Sequence, residues 1–322
     1  MTNAKGIVLR VVHIMGTAHC GSTILGGALA SYSDMINVGE ILRIGLPLQS
    51  ITGNVCACGQ VIENCPFWSR IYQSWVDAIA PLTPEIYRGY QMKFERLRSF
   101  PRIMIEKLTP SPAFREYASA TLALYRSISL IAGSNIVVDT SKYPVRGMAL
   151  SLIPELNLQL VHLVRDGRGV IWSRKKRSVV DGSIQSTKQA NARVLFSAIL
   201  DWIVVNIFSE FARMNSHGAY IQIRYEDFVS NPREPLSRLA KGSGIQTDGV
   251  IEALQAGKPI SFGHDFAGNP VRLKGPVTFK LDEQWKHKLT SSERRNFWIF
   301  AGWLARRYGY LRDPQTSEVE DS

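Results

Sequence analysis

Residues 11–40, VVHIMGTAHCGSTILGGALASYSDMINVGE, constrain this chain more than any other stretch. An apolar run over residues 7–15, broken only by Arg10 and His13, stops at Gly16. Gly16-Thr17-Ala18-His19-Cys20-Gly21-Ser22-Thr23 then opens a small-residue, apolar stretch, 24–30, that reads as a helix. Strand, glycine-bounded loop and helix start in that order make an anion cradle. The N–H groups left unpaired at the helix start converge on a negative group, and the helix dipole favours it. The spacing is that of a P-loop, G-x-x-x-x-G-K-[ST], except that Ser22 stands where the lysine belongs. That lysine serves the β- and γ-phosphates of a nucleoside triphosphate, so its absence argues for an anion of another kind. Alone, the pattern fits an ordinary strand-to-helix turn equally well.

At 322 residues and 45% hydrophobic, the chain is long enough to bury a large core as one α/β domain, residues 1–322, with a subdomain inserted. No run of about 18 apolar residues appears, so no membrane span is expected. MTNAKGIVLR enters a strand directly, without the pattern of a signal peptide, and four cysteines are too few for a disulfide framework. These features predict a soluble, cytoplasmic protein. The balance of 38 Lys+Arg against 27 Asp+Glu, a net charge of +11, favours anionic partners. Charge alone does not choose among nucleotide, acidic substrate, nucleic acid and anionic membrane surface.

Along the chain, residues 35–38 read as a short extended piece ending in Gly39-Glu40. Residues 41–135 read as a mostly helical insertion, with amphipathic stretches at 68–79 and 84–108. A strand over 136–138 leads into Asp139-Thr140-Ser141-Lys142, and Pro144 starts a helix. A buried-looking strand over 158–164 is followed by Arg165-Asp166-Gly167 and a helix. A long helix over 190–213, a strand over 220–224 ended by Tyr225-Glu226-Asp227, a helix over 232–241, a loop-like stretch over 263–276 and a helix over 291–310 complete the order. Residues 313–322 read as a frayed acidic tail. Strands alternating with helices predict a three-layer sandwich around a central parallel sheet, like the P-loop NTPases. Ligands of such sheets sit beyond the carboxyl ends of the strands, where the clusters at 16–23, 139–142, 165–166 and 224–227 all fall.

In LVHLVRDGRGVIWSRKK, Arg165 ends a strand and Ser173 lies in the following helix. A guanidinium fork with a nearby hydroxyl suits a phosphate, while an Arg165–Asp166 ion pair capping the helix is the plainer alternative.

Together these segments resemble the sulfotransferases that use 3′-phosphoadenosine 5′-phosphosulfate (PAPS), particularly bacterial members related to Golgi-type enzymes. HCGST (19–23) is similar to their 5′-phosphosulfate loop, [RKH]-S-G-[ST]-T, and LVRDGRGVIWSR to their 3′-phosphate motif. RYEDFVSNP (224–232), VVDTSKYPVR (137–146) and HDFAGNPVRLKGPV (264–277) resemble three further segments, the last a C-terminal cofactor lid. The likeness covers about two thirds of the chain and thins out over 45–134.

The resemblance implies PAPS as co-substrate with no metal required, and an acceptor that is a carbohydrate, glycolipid or other small molecule. Nucleic acid is not expected as a partner, and peripheral contact with a membrane is left open. Glu40 is implied as catalytic base, and Lys142 as a cation near the transferred group, with Asp139 as its alternative structural partner. Ser141 would orient Lys142 or touch the acceptor. Ala18, His19, Cys20, Gly21, Ser22 and Thr23 would hold the 5′-phosphate, Arg165 and Ser173 the 3′-phosphate. Tyr225 would pack beneath the nucleotide, and Lys274 and Gly275 would close over the 3′-phosphate. Two departures stand out. His19 occupies the place of a catalytic Arg or Lys, and so carries a charge that titrates at about pH 6.5 when unperturbed; Cys20 replaces the usual loop serine. A P-loop kinase and a non-catalytic nucleotide- or polyanion-binding protein are the alternative readings.

Cys56-x-Cys58 and Cys65 put three thiols within a short stretch, but the first spacing is tight for zinc and no histidine lies nearby in sequence. They read as a structural loop on the acceptor side, with a metal site or a disulfide as the alternatives. Phe67, Trp68, Tyr72 and Trp75 recur at helical spacing and read as core. The basic, aromatic stretch 87–102 reads as a solvated helix face, with contact to an anionic acceptor or lipid head groups as the alternative.

Overall fold

The computed structural model describes residues 8–46, 55–180, 188–214 and 219–312. The tail at 313–322, the start of the first apolar run at residue 7, and residues 47–54 of the insertion lie outside the described residues.

In chain order the elements are β1 (Arg10–Met15), α1 (Ser22–Ser31), β2 (Ile36–Asn37), α2 (Pro66–Ile79), α3 (Pro84–Phe94), α4 (Phe100–Leu108) and α5 (Pro112–Ala132). Then follow β3 (Ile136–Lys142), α6 (Pro144–Leu150), β4 (Leu158–Val164), α7 (Gly167–Val180), α8 (Lys188–Arg213) and β5 (Tyr220–Arg224). The last are α9 (Tyr225–Ser230), α10 (Arg233–Ser243), α11 (Asp248–Gln255), α12 (Trp285–Lys288) and α13 (Ser291–Arg307). The chain divides into two compact units, residues 1–164 with 205–281, and residues 165–204 with 282–322.

The first unit holds the sheet, ordered β2-β3-β1-β4-β5 with every neighbouring pair parallel. The alternation along β1 makes two cores. Val11 and Met15 join Val137, Leu160 and residues of α2, α5 and α6 on one face. Val12 and Ile14 join Leu25, Leu29, Val138 and Val161 on the other. Helices on both faces of a parallel sheet are the expected three-layer α/β architecture. From β1 the chain crosses to β2 and β3 on one side, and β4 and β5 lie on the other. The loop after β1 therefore opens at the switch point, beyond the carboxyl ends of the strands.

The insertion is helical as expected, with two differences. The stretch 84–108 is two helices, because Pro101 lies in the first turn of α4 and a short 3-10 turn at Leu97–Ser99 separates it from α3. α5 is an additional helix, capped by Ser111, whose hydroxyl accepts the Phe114 N–H, and closed by Gly133 at φ 65°. β3 runs on through Lys142 rather than stopping at residue 138. Trp68 and Trp75 are buried core residues, as their spacing predicts.

In the second unit, Trp202 packs edge-on to Phe297 and Tyr308, and Phe297 sits so close to Gly167 that a Cβ there would lie 2.2 Å from its ring. Residues Ala192–Arg213 of α8 are long and apolar enough to cross a bilayer by length and composition. Along that helix, however, Asn206 bonds to His162 of β4 and Trp202 donates to the Arg165 carbonyl at 2.9 Å, as in a core helix.

Candidate active site

The loop after β1 is shaped by its glycines. Gly16 lies where a Cβ would meet the Leu163 carbonyl at 2.5 Å, and Gly21 (φ 99°) where one would enter the Tyr225 ring at 2.3 Å. Gly21 is the N-cap of α1 and supplies no side-chain acceptor, and the first turn carries no acidic residue. An uncapped helix start lined by small residues is a seat for an anion. Ser22 and Thr23 are largely buried, Ala18 is exposed, and His19 is half-buried with φ 68°. Cys20 is fully buried in the core beside Gly16, so its side chain anchors the loop and only its backbone remains to line it. Tyr225 is buried against Gly21.

Glu40 follows Gly39, where a left-handed φ of 67° and a lack of room each call for glycine: a Cβ would lie 2.8 Å from the Ala267 carbonyl. The Glu40 carboxylate accepts a hydrogen bond from Lys142 Nζ through Oε1, each side chain being about a fifth exposed. Among the described residues its second oxygen has no protein partner. Lys142 reaches Glu40 because β3 carries an irregularity. His13 pairs with Asp139 and Met15 with Lys142, one extra residue on β3, and Lys142 itself takes φ 69°. Such bulges re-aim side chains at strand ends. Lys142 is thus the partner of Glu40 and not of Asp139.

Asp139 belongs to a different, fully buried cluster. Its Oδ2 receives Tyr125 Oη at 2.6 Å and Arg146 Nε at 3.1 Å, and His13 Nδ1 lies 3.3 Å away. Arg146 also donates to Glu95 through Nη1, and Tyr117 Oη donates to Glu95 at 2.9 Å. Burial by itself would raise the Asp139 carboxyl, but Arg146 and His13 override it and hold it well below the usual carboxylate range. Burial pushes the Tyr117 and Tyr125 hydroxyls well up, so both remain donors. Ser141 is also buried: its hydroxyl accepts the Leu42 N–H at 3.1 Å, pinning the turn after Glu40 to β3.

The segment after His264 ties these parts together. Phe266 N–H donates to the Val38 carbonyl at 3.2 Å and Glu40 N–H to the Ala267 carbonyl at 3.4 Å. Asn269 N–H approaches Thr23 Oγ1 at 3.5 Å. A Cβ on Gly268 (φ 128°) would lie 3.4 Å from Thr23 Oγ1 and 3.5 Å from Glu40 Oε1. The helix start after the β1 loop and the Glu40–Lys142 pair therefore flank one glycine. Asp265 is fully buried with Oδ1 accepting Asn37 Nδ2 at 2.6 Å; burial pushes its carboxyl well up, only partly offset by Arg272. Neither Gly268 nor Asp265 was singled out by sequence, although both lie within the HDFAGNP run. Lys274 and Gly275 sit on an exposed turn, Lys274 N–H donating to the Val271 carbonyl and Gly275 at φ 75°.

In the second unit, Arg165 is buried at the head of α7, its Nη2 3.6 Å from Asp282. Asp166 is engaged by Arg168, Nε to Oδ1 at 3.0 Å and Nη2 to Oδ2 at 2.7 Å, and it caps the helix by accepting the Arg168 N–H at 2.9 Å. Arg168 in turn stacks on Trp285 at 4.1 Å. Ser173 is half-buried on α7.

The chain shares its fold with the sulfotransferase domain from the Synechococcus PCC 7002 olefin synthase, with a TM-score of 0.52 and 17% identity over 96% of this chain and 98% of that one. Lower similarity is found to the sulfotransferase domain from the curacin biosynthetic pathway (TM-score 0.48, 17% identity, 94% and 98% covered). Sulfotransferase STF9 from Mycobacterium avium matches at TM-score 0.48 and 10% identity, with 95% and 78% covered. No protein-family model and no curated protein matches the chain.

Proposed function

We propose that this chain is a sulfotransferase that moves a sulfuryl group from PAPS to a hydroxyl or amine of a carbohydrate, glycolipid or other small molecule. One observation carries this reading: the anion loop and the Glu40–Lys142 pair lie on either side of Gly268. A base with a spare carboxylate oxygen, a cation and an anion cradle are what in-line transfer of a charged group to a hydroxyl requires.

The loop fits the 5′ end of such a nucleotide. Its helix start has no capping side chain or first-turn acid, and the Tyr225 ring excludes any Cβ at Gly21. The lysine that a nucleoside triphosphate needs is absent at Ser22. When bound, PAPS supplies an activated sulfuryl group and a phosphate leaving group. Glu40 takes the acceptor proton as the new O–S bond forms and the S–O bond to the 5′-phosphate breaks. Lys142 offers its ammonium to the oxygens that gain charge, and His19 supplies a further donor from the loop. Sequence likeness assigns Arg165 and Ser173 to the 3′-phosphate.

Calorimetric binding of adenosine 3′,5′-bisphosphate, beside AMP and ATP–Mg²⁺, tests the reading. The 3′,5′-bisphosphate should bind far more tightly than AMP, and Arg165→Ala should weaken it roughly ten- to hundredfold while leaving AMP binding nearly unchanged. Preference for ATP–Mg²⁺ would instead make this a kinase-like protein.

A further inference from the structure

The three clustered thiols acquire a fourth partner in the fold. His264, distant in sequence, brings its Nδ1 to 3.3 Å from Cys65 Sγ and 3.6 Å from Cys56 Sγ. Cys65 Sγ lies 3.7 Å from Cys58 Sγ and 3.8 Å from Cys56 Sγ. All four ligand atoms lie within 4.8 Å of one another. Bonds of about 2.3 Å to sulfur and 2.0–2.1 Å to nitrogen at tetrahedral angles put sulfurs about 3.75 Å apart and sulfur and nitrogen about 3.5 Å apart. The four separations match those figures to about 0.2 Å. They are far from a disulfide's sulfur–sulfur bond of about 2.05 Å, and none of the cysteines is bridged.

We propose that Cys56, Cys58, Cys65 and His264 form a structural zinc site. Thiolate and imidazole donors in a closed set of four select Zn²⁺ and leave no position for substrate. The backbone is arranged to present them. Val55 and Val61 pair across a tight turn in which Gly59 takes φ 90° and donates its N–H to the Cys56 carbonyl at 2.9 Å. Cys65 is the N-cap of α2. His264 is held by Phe67, stacked on its ring at 4.6 Å, and by Trp68 Nε1, which donates to its carbonyl at 2.7 Å. Cys56 and Cys65 are buried while Cys58 is exposed, giving the ion a way in.

The site has a structural consequence. The segment that begins at His264 is the one that receives the Glu40 N–H and meets Thr23, and it also bonds the cysteine turn through Ala57 N–H to Asp265 (3.2 Å) and Arg272 to the Val55 carbonyl (2.8 Å). An ion joining both ends of this contact fastens the turn to the segment behind Glu40. Zinc here shapes the site from behind and takes no part in the reaction.

The full chain, purified without a metal-affinity tag, should contain about one zinc per chain by elemental analysis. A mercurial thiol reagent should release it, and the cobalt-exchanged protein should show tetrahedral ligand-field bands with thiolate charge transfer. Cys58→Ser, at the exposed ligand, should fold yet hold zinc at least tenfold more weakly and shift the cobalt spectrum; His264→Ala should do the same. Metal-free protein that gains no cobalt bands overturns the proposal. So does iron in place of zinc, a disulfide found by mass spectrometry, or unchanged zinc content and cobalt spectrum in Cys58→Ser. None of these readouts depends on PAPS binding or transfer, so the zinc site and the sulfotransferase reading stand or fall separately.

Discussion

Asp139 and Lys142 lie three residues apart on the same strand and meet opposite fates. Asp139 enters a dry cluster in which Arg146, Glu95, Tyr117, Tyr125 and His13 engage one another with no exposed surface. Lys142, beyond the β3 irregularity, meets Glu40 where both side chains keep contact with water. Charged groups alone do not mark a reactive site. A buried network with its partners in place specifies how elements dock, whereas a part-exposed pair with a spare acceptor oxygen is available to a substrate.

The strongest way to break the comparison is Arg146→Met. It leaves Asp139 and Glu95 buried without their cation and should cost about 3–5 kcal/mol in urea unfolding. A loss below about 1 kcal/mol would mean that the cluster does not organise the fold. Glu40→Gln should do the reverse. Stability should change by less than about 1 kcal/mol, since a part-exposed ion pair contributes little, while turnover with PAPS falls by about 10²–10⁴ at unchanged nucleotide affinity. Full activity would remove Glu40 as the base. A smaller, graded effect comes from His162, buried on β4 between Tyr220 and Asn206 (2.7 and 2.8 Å). Burial lowers its pKa from 6.5 to about 4. The folded state therefore refuses a proton that the unfolded chain accepts. Stability is complete above pH 6.5 and lost as pH falls toward 4, by roughly 3 kcal/mol over that interval. Asp139, held low, adds its own loss only below the ordinary carboxylate range, near pH 4. Asp265 and Glu95, whose carboxyls burial raises, act in the opposite sense. The His162 contribution is therefore read as the difference between wild type and His162→Gln in unfolding from pH 7.5 to 4.5, with wild type losing more stability on acidification.

Much of the architecture was legible because it rests on near neighbours. The apolar alternation of β1, Gly16 and Gly21 around a helix start, and Pro144 opening α6 each follow from local sterics and periodicity. α5 also carried its signals, Ser111-Pro112 at one end and Gly133 at the other, and was readable from them. The split of α3 from α4 was less so, because a proline in a helical pattern either kinks a helix or begins a new one.

What the chain's order of residues decided, then, was a parallel α/β sandwich with a glycine-bounded loop at the end of its first strand. Which side chains meet was decided by the tertiary structure. Glu40 finds Lys142 only because β3 carries an extra residue opposite β1, and Asp139 is handed to Arg146. Arg168 takes Asp166 through a turn that spacing does not reveal, and His264 comes to the cysteines across most of the chain's length. The reason is physical: periodicity reports which face a residue occupies, but its partner on that face depends on strand order and register. One inserted residue in a strand is enough to turn a side chain from the core toward the site.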